Sequence, residues 1–548
     1  MNILENLQHI ILTHIQQTYN ITIETCKKID ITINTDDKKA DFGDITTNAA
    51  LIIAQEIGTN PRTVAQALAA SLSHPHIQKI DIAGPGFINI FLTIQAFKVL
   101  TQELYHQDKD FFKPTIIKPL TYSLEFVSAN PTGPLHIGHG RGGIIGDVLA
   151  QVLRFLGHNV ITEYYINDAG NQIGKLGLSL KIRCLQQNGS NEQLPEDAYQ
   201  GEYLIRLAEQ CIAEYGNQVI EQPQTFFEEY AQKHLLQNIT ETLRSYGIEF
   251  DIWFSEKTLH TSGAIQKELE YLASRGYTYK KDDALWFTAM QFGDDKDRVV
   301  QKNTGELTYI AADIAYLQNK LQRPADHLIM ILGQDHHSYV ARLKAIMQAL
   351  GHNPDTLDVI LYQLVTVKET GELVRLSKRA GKIVSLNDII ETVGKDVARF
   401  FYLNRKADAH LDFDITLALE HSEKNPVYYI QYAYVRAGSI LEKASEHAEF
   451  AFGPEDIAYI GAPEVALLKK IAALKDVLEN IGRTYQTHVL SYYLLELAHH
   501  FHHYYSSNRV ITHEDPGLTK SRLLIVSIAQ RTFKHVLELL GLTTPESM

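Results

Sequence analysis

Cysteine is scarce: the 548 residues hold three, Cys26, Cys184 and Cys211, with no Cys-x-x-Cys spacing. That spacing suggests neither a disulfide framework nor a cysteine-based zinc site, and fits a reducing compartment. No apolar run is long enough to cross a bilayer. Met1 to Asn20 lacks a cationic stretch followed by an apolar block, so it does not read as a secretory leader. The expected address is the cytoplasm, with no membrane partner. Internal repeats and low-complexity tracts are also lacking, which excludes solenoids and tethers. There is no excess of positive charge: 51 Lys and Arg face 65 Asp and Glu, a net of −14. Broad non-specific nucleic-acid binding is thereby disfavoured, although a local basic face needs only a few cations. What is present is ordinary globular composition, 45% hydrophobic and 21% charged. The length exceeds one core and suggests about three or four domains.

Residues 1–112 read as a small α+β module. Asn48 to Gly58 is helical in pattern, and Asn60-Pro61 starts a second helix through Leu72. Ile77 to Ile82, a Gly84-Pro85-Gly86 turn and Phe87 to Leu92 follow as strand, turn, strand. Lys113-Pro114 and Lys118-Pro119 mark a linker. Residues 113–421 alternate β and α, which predicts a mostly parallel sheet with a nucleotide site at the carboxyl ends of its strands. An insertion is expected over about 181–303, with a strand-like patch at Ala284 to Ala289. The sheet resumes near Thr308, with a helix over Ala311 to Leu321. A strand at His327 to Leu332, a helix at Ser338 to Leu350 and a strand at Val359 to Val367 follow. Residues 422–548 show long helical patterns and no convincing strand.

The densest chemistry is Pro131-Thr-Gly-Pro-Leu-His136-Ile-Gly138-His139-Gly140. An apolar strand, Tyr122 to Val127, precedes it. A helix follows, with Ile144, Ile145, Val148, Leu149, Val152, Leu153 and Leu156 on one stripe. Gly157-His158-Asn159 stops that helix, and Val160 to Ile166 is a second strand. Strand, glycine-rich turn, helix, strand is a phosphate site at a helix N-terminus. Glycines let a nucleotide lie on the backbone, and the two imidazoles can donate to phosphate oxygens as charge develops. A metal pair is the competing reading of His-x-x-His.

With that turn the chain resembles the class I aminoacyl-tRNA synthetases, whose first signature is His-Ile-Gly-His. The longer string Glu125-Phe-Val-Ser-Ala-Asn-Pro-Thr-Gly-Pro-Leu-His-Ile-Gly-His-Gly-Arg is similar to the arginyl-tRNA synthetases in particular. The resemblance implies a Rossmann-type α/β catalytic domain with an insertion, a small α+β N-terminal domain that contacts the tRNA elbow, and an all-helical anticodon-binding domain. It implies activation of L-arginine by ATP with Mg²⁺, no zinc, transfer to the 3′-terminal adenosine of tRNA(Arg), and a need for bound tRNA before activation. A monomer is expected.

The same resemblance distributes roles. His136, Gly138 and His139 would hold ATP and stabilise its transition state, with Gly333, Asp335 and His336 at the end of the strand His327 to Leu332. Val374-Arg-Leu-Ser377-Lys378-Arg-Ala-Gly-Lys382 takes the place of the second signature, with Ser377 and Lys378 in its Ser and second Lys positions and departures at Arg375, Leu376 and Arg379. Arginine would be surrounded by Glu125, Ser128, Asn130, His136, Tyr309, Asp313 and Gln334. A guanidinium needs carboxylates that accept paired bonds. Glu125 and Asp313, with Tyr309 one helical turn from Asp313, would supply the acidic end. Ser128, Asn130 and His136 would take the α-amino and carboxylate end. Metal binding by Asp335-His336-His337 is disfavoured, because adjacent residues seldom converge on one ion. RNA contacts would come from Phe87 and Asn89, and from Tyr432, Arg436 and the terminal Met548. The family's usual His-Ala is replaced by Tyr434-Val435. Three other readings stand beside this one: a class I synthetase for another amino acid, a nucleotidyltransferase with the same turn, and a non-catalytic RNA-binding descendant.

Overall fold

A computed structural model of the chain describes residues 2–114, 118–370, 372–373 and 385–548. The second signature over 374–382, with Ser377 and Lys378, lies outside the described residues. The chain divides into two compact units, one of residues 118–420 with 485–488, the other of the remainder.

The first unit is built on a parallel sheet. Its strands are β1 (Thr121–Glu125), β2 (Asn159–Ile166), β3 (Ile252–Ser255), β4 (His327–Gly333) and β5 (Leu357–Tyr362), in the order β5-β4-β1-β2-β3. Tyr122, Leu124 and Phe126 are buried, as a central parallel strand requires. The helix α1 (Ile137–Phe155) links β1 to β2 and carries the expected apolar stripe. Its glycines let it lie flush: a Cβ at Gly146 would sit 2.3 Å from the Phe126 ring, and one at Gly140 would sit 2.5 Å from Leu386. Each such glycine costs the helix about 1 kcal/mol of propensity, and the close approach requires it. Over the sheet, α2 (Tyr309–Leu321) packs a cluster that includes Ile314, Leu317, Leu328, Met330 and Ile346.

Two expectations are corrected. The segment 181–303 is not one insertion, because β3 returns to the main sheet and pairs with β2. Only four residues make that strand, three of them apolar, too few to stand out among helical patterns. Within the segment, Ala284–Phe287 is the centre of a separate antiparallel sheet, flanked by Thr278–Lys281 and Arg298–Gln301. The strand expected over Val359 to Val367 is two strands. β5 ends at Tyr362, Leu364 is 71% exposed, and Val365–Glu369 joins a different sheet with Leu411–Asp414. The fully buried Arg141 of α1 holds this bend, donating to the carbonyls of Gln363 (2.9 Å), Lys406 (2.9 Å) and Ala409 (2.8 Å).

The second unit combines the N-terminal α+β module with the helical C-terminal segment. Its sheet runs Ile31–Ile33, Ile45–Thr47, Phe87–Leu92, Ile77–Ala83, all antiparallel. Helices Pro426–Ser445, Ala462–Ala472, Leu474–Thr484 and Pro516–Leu539 belong to the other part. The two parts are tied together by Lys475 to Glu5 (3.0 Å), by Lys469 to Asp44 (3.2 Å), and by Phe112 stacked on His535.

Candidate active site

The start of α1 is set by its histidines. His136 is the N-cap, and its Nδ1 accepts from the Gly138 N–H at 3.1 Å. His139 Nδ1 reaches back to accept from the His136 N–H at 3.2 Å. The rings stack, with centroids 3.6 Å apart and planes at 22°. Burial, with His136 adding to it, holds the His139 imidazole down to about 3, so this ring is neutral in ordinary buffers. A neutral ring that accepts at Nδ1 carries its proton on Nε2. The cap therefore fixes His139 as an Nε2–H donor at a positive helix end. The same helix start is joined to the far side of the second signature: the Leu386 N–H donates to the Leu135 carbonyl at 2.8 Å, and His136 bridges Ser385.

At the carboxyl end of β1 the backbone is strained. Val127 has φ 67° and Ser128 φ 41°. A β-branched residue in the left-handed region is an outlier, of the kind that collects at functional sites. Asn130 is exposed at the end of this turn and donates to Gln172 at 3.0 Å.

The acidic residues do not all stand as expected. Asp313 is partly buried on α2, and Tyr339 hydrogen-bonds to it. Burial pushes its carboxyl up to about 7. Tyr339 and Arg342 act in the opposite direction, while the charges of Glu256 and Glu125 add to the rise. Tyr309 lies one turn away but is 63% exposed, a rim residue rather than a wall. Glu125 is nearly sealed, and its carboxylate is already engaged by Lys320 (2.9 Å), Tyr316 (2.7 Å) and Ser128 (3.1 Å). Glu125 thus has little left to offer a guanidinium. Glu256, which the sequence did not single out, is a second buried carboxylate whose charge acts on Asp313. It directly follows β3, is 4% exposed, hydrogen-bonds Tyr165, and has His260 at 3.4 Å. Its only signal was an acid after a short apolar run, hidden inside the segment read as an insertion.

Gly333 ends β4, Gln334 follows in a single 3₁₀ turn, and Asp335 and His336 are exposed there. Asp168 of the Tyr164 to Gln172 string has a structural place, accepting from Ser255 Oγ (2.6 Å), the Lys257 N–H (2.9 Å) and Gln232 (3.2 Å). Among the described residues, no group of three or more His, Cys, Asp or Glu side chains is placed to hold a metal ion, and no helix is long and apolar enough to cross a membrane.

In the other unit, Phe87 is 43% exposed at the start of its strand, while Asn89, on the same face of that strand, is only 4% exposed. The fold brings Phe87 to solvent and covers Asn89 between its strand neighbours Thr46 and Asp81. Arg436 lies between the Tyr432 and Tyr505 rings, 4.9 Å from each centroid, and donates to the Tyr505 hydroxyl at 2.9 Å. Tyr428 and His502 stack on Tyr432, and Met548 is 49% exposed.

Comparison with known proteins covers nearly the whole chain. Residues 5–92 match the arginyl tRNA synthetase N terminal domain. Residues 100–409 match the catalytic domain of tRNA synthetases class I (R), and residues 430–548 match the DALR anticodon binding domain. Arginine–tRNA ligase 1 of Halalkalibacterium halodurans is 41% identical over 95% of this chain and 94% of its own. The arginine–tRNA ligase of Caldanaerobacter subterraneus subsp. tengcongensis is 42% identical, over 93% and 92%. The solved Thermus thermophilus arginyl-tRNA synthetase shares the fold with a TM-score of 0.78, at 22% identity, over 99% of this chain and all of that one.

Proposed function

The chain belongs to the class I arginyl-tRNA synthetase family, and we propose that His136, His139, Asp313 and Glu256 carry the reaction that this family performs. The protein is an arginine–tRNA ligase. It activates L-arginine with ATP and transfers the arginyl group to tRNA. The arginine carboxylate attacks the α-phosphate and pyrophosphate leaves; the 3′-terminal adenosine of tRNA(Arg) then takes the arginyl group and AMP leaves. No covalent enzyme intermediate is needed, so catalysis is positioning and charge stabilisation.

The observation that carries the site assignment is Asp313, a carboxyl on α2 raised by burial and by its acidic neighbours, in the unit whose first helix begins with two capped imidazoles. Asp313 and Glu256 face the guanidinium, with Tyr309 at the rim and Gln334 beside them. Ser128, Asn130 and His136 take the α-amino and carboxylate end, and Glu125 acts behind Ser128. His136 and His139 donate to phosphate oxygens. Gly138, Gly333, Asp335 and His336 line the nucleotide, and Ser377 and Lys378 grip its phosphates. Mg²⁺ arrives with ATP as part of the substrate. Phe87 stacks on an unpaired base of the tRNA elbow, and Tyr432, Arg436 and Met548 meet the anticodon arm. The enzyme works as a cytoplasmic monomer.

Charging of tRNA with labelled arginine tests this reading. Product that survives mild acid, is cleaved by mild base, and is absent when the 3′ ribose has been oxidised supports it; no label in RNA contradicts it.

Two further results are expected. A guanidinium pairs only with the ionised form of Asp313. The carboxyl is half protonated near pH 7 in the empty site, so arginine binding drives its proton off. Arginine affinity therefore falls as pH drops below about 7 and levels off above it. Calorimetry in buffers of different ionisation enthalpy should show proton release at pH 7 that Asp313→Asn abolishes. Release unchanged in that variant assigns the proton elsewhere. Second, Phe87→Ala should weaken tRNA affinity by about 1 kcal/mol or more, the scale of one lost base stack, with pyrophosphate release per bound tRNA unaltered. A filter-binding constant equal to that of the unsubstituted protein removes Phe87 from the interface. A point variant serves better than deleting residues 1–112, because that module packs against the C-terminal helices in one unit.

A further inference from the structure

Lys320 is fully buried on α2, and nothing in the reaction above uses it. Its Nζ lies 2.9 Å from Glu125 Oε2, 3.3 Å from Glu163 Oε1 and 3.2 Å from the Tyr316 hydroxyl. Arg323 pairs with the other Glu163 oxygen. Two carboxylates and two cations thus close a neutral cluster beneath the strained turn. Glu125 connects the cluster to that turn: its Oε1 accepts from Ser128 Oγ at 3.1 Å, and Ser128 Oγ accepts from the Tyr165 N–H at 3.1 Å.

A hydroxyl has one proton and two acceptor sites. Ser128 gives its proton to Glu125 and one acceptor site to Tyr165. What it has left to offer a ligand is an acceptor. We propose that Lys320 is a positioning residue that, by pairing with Glu125, keeps the Ser128 hydroxyl an acceptor and so makes the site selective for an α-ammonium group. This rests on the placement of the substrate's α-end at Ser128. An ammonium has three donors and no acceptor. It is welcomed by the orientation Glu125 imposes and repelled by the reverse one. A 2-hydroxyl group can donate or accept, so it tolerates either orientation.

Removing Lys320 leaves Glu125 buried beside Glu163 without its cation, and such a carboxylate takes up a proton. A protonated Glu125 can donate to Ser128, whose own proton must then turn away. Glu125→Gln reaches the same state at constant volume. Lys320 and Tyr316 hold the amide oxygen on their side, so the amide NH₂ faces Ser128 and donates to it.

The test compares arginine with its 2-hydroxy analogue, in which a hydroxyl replaces the α-amino group. KM for arginine and the inhibition constant of the analogue are measured in the full-length enzyme and in Lys320→Met, Glu125→Gln and Ser128→Ala. The proposal expects arginine to weaken by about tenfold or more in Lys320→Met and Glu125→Gln, the analogue to change by no more than about twofold, and KM for ATP to hold. Parallel weakening of both ligands would reduce Lys320 to a structural role and overturn the proposal, as would no change in either. If Lys320→Met does not fold, Glu125→Gln decides the same question. Ser128→Ala separates the two layers. An arginine-to-analogue ratio unmoved by Ser128→Ala means the α-end of arginine is placed wrongly. A ratio moved by Ser128→Ala but not by Lys320→Met or Glu125→Gln means the placement holds and the relay fails.

Discussion

Asp313→Asn should lower kcat/KM for arginine by about 1.5 to 3 kcal/mol, the range of a hydrogen bond to a charged group. The shape of the side chain is kept and only the charge is lost. Asp313→Ala should cost at least as much. Glu256→Gln should fall in the same range, because its carboxylate is buried at the end of β3 with Tyr165 and His260 as its neighbours. Arginine differs from lysine in presenting a planar fork of donors, which suits two carboxylates better than one. Citrulline keeps the length and loses the charge, and should be a poor substrate for the unsubstituted enzyme, since a site built on such bonds rejects ligands that leave its polar groups unpaired. KM for ATP should hold in all three variants. Arginine kinetics left intact by Asp313→Asn and Glu256→Gln would remove both residues from the pocket.

His139→Ala should slow adenylate formation by about tenfold or more, with a smaller change in ATP affinity. The reason is the tautomer. With Nδ1 engaged by the His136 N–H and the ring neutral, His139 brings one Nε2–H donor to the phosphate side. Such a donor gains most when charge builds on the oxygens of the phosphate under attack. Alanine also removes half of the reciprocal cap of α1, so the variant's melting temperature must be measured beside its rate. His139→Gln keeps a donor and should recover part of the rate. Equal losses in ATP binding and in rate would assign the imidazole to ground-state binding instead.

How much of this was legible in the sequence depends on the reach of the interactions. The βαβ unit around His136 was readable almost to the residue, because strand, turn, helix stripe and stop signal all act over a few neighbours. The helical C-terminal segment was readable for the same reason. The bend at Gln363-Leu364 was not. It is fixed by Arg141, more than two hundred residues away, donating to three carbonyls, and Val359 to Val367 alone looks like one strand. β3 was missed because four residues paired only through β2 carry little signal of their own. With β3 went Glu256, whose role depends on which strand edge it ends. Glu125 was visible as an acid before the nucleotide turn, but its partner Lys320 lies 195 positions on. Asn89 sits two residues from Phe87, and strand alternation puts both on one face. That the first is covered and the second is open follows from its neighbours Thr46 and Asp81 in adjoining strands.

This site should activate arginine and no other amino acid. Pyrophosphate exchange into ATP, run with each of the twenty amino acids in turn and with or without tRNA(Arg), tests it most directly. Exchange should depend on arginine, be negligible with lysine, and appear only when tRNA is present. Exchange driven by a different amino acid, or none with arginine and tRNA together, would contradict it.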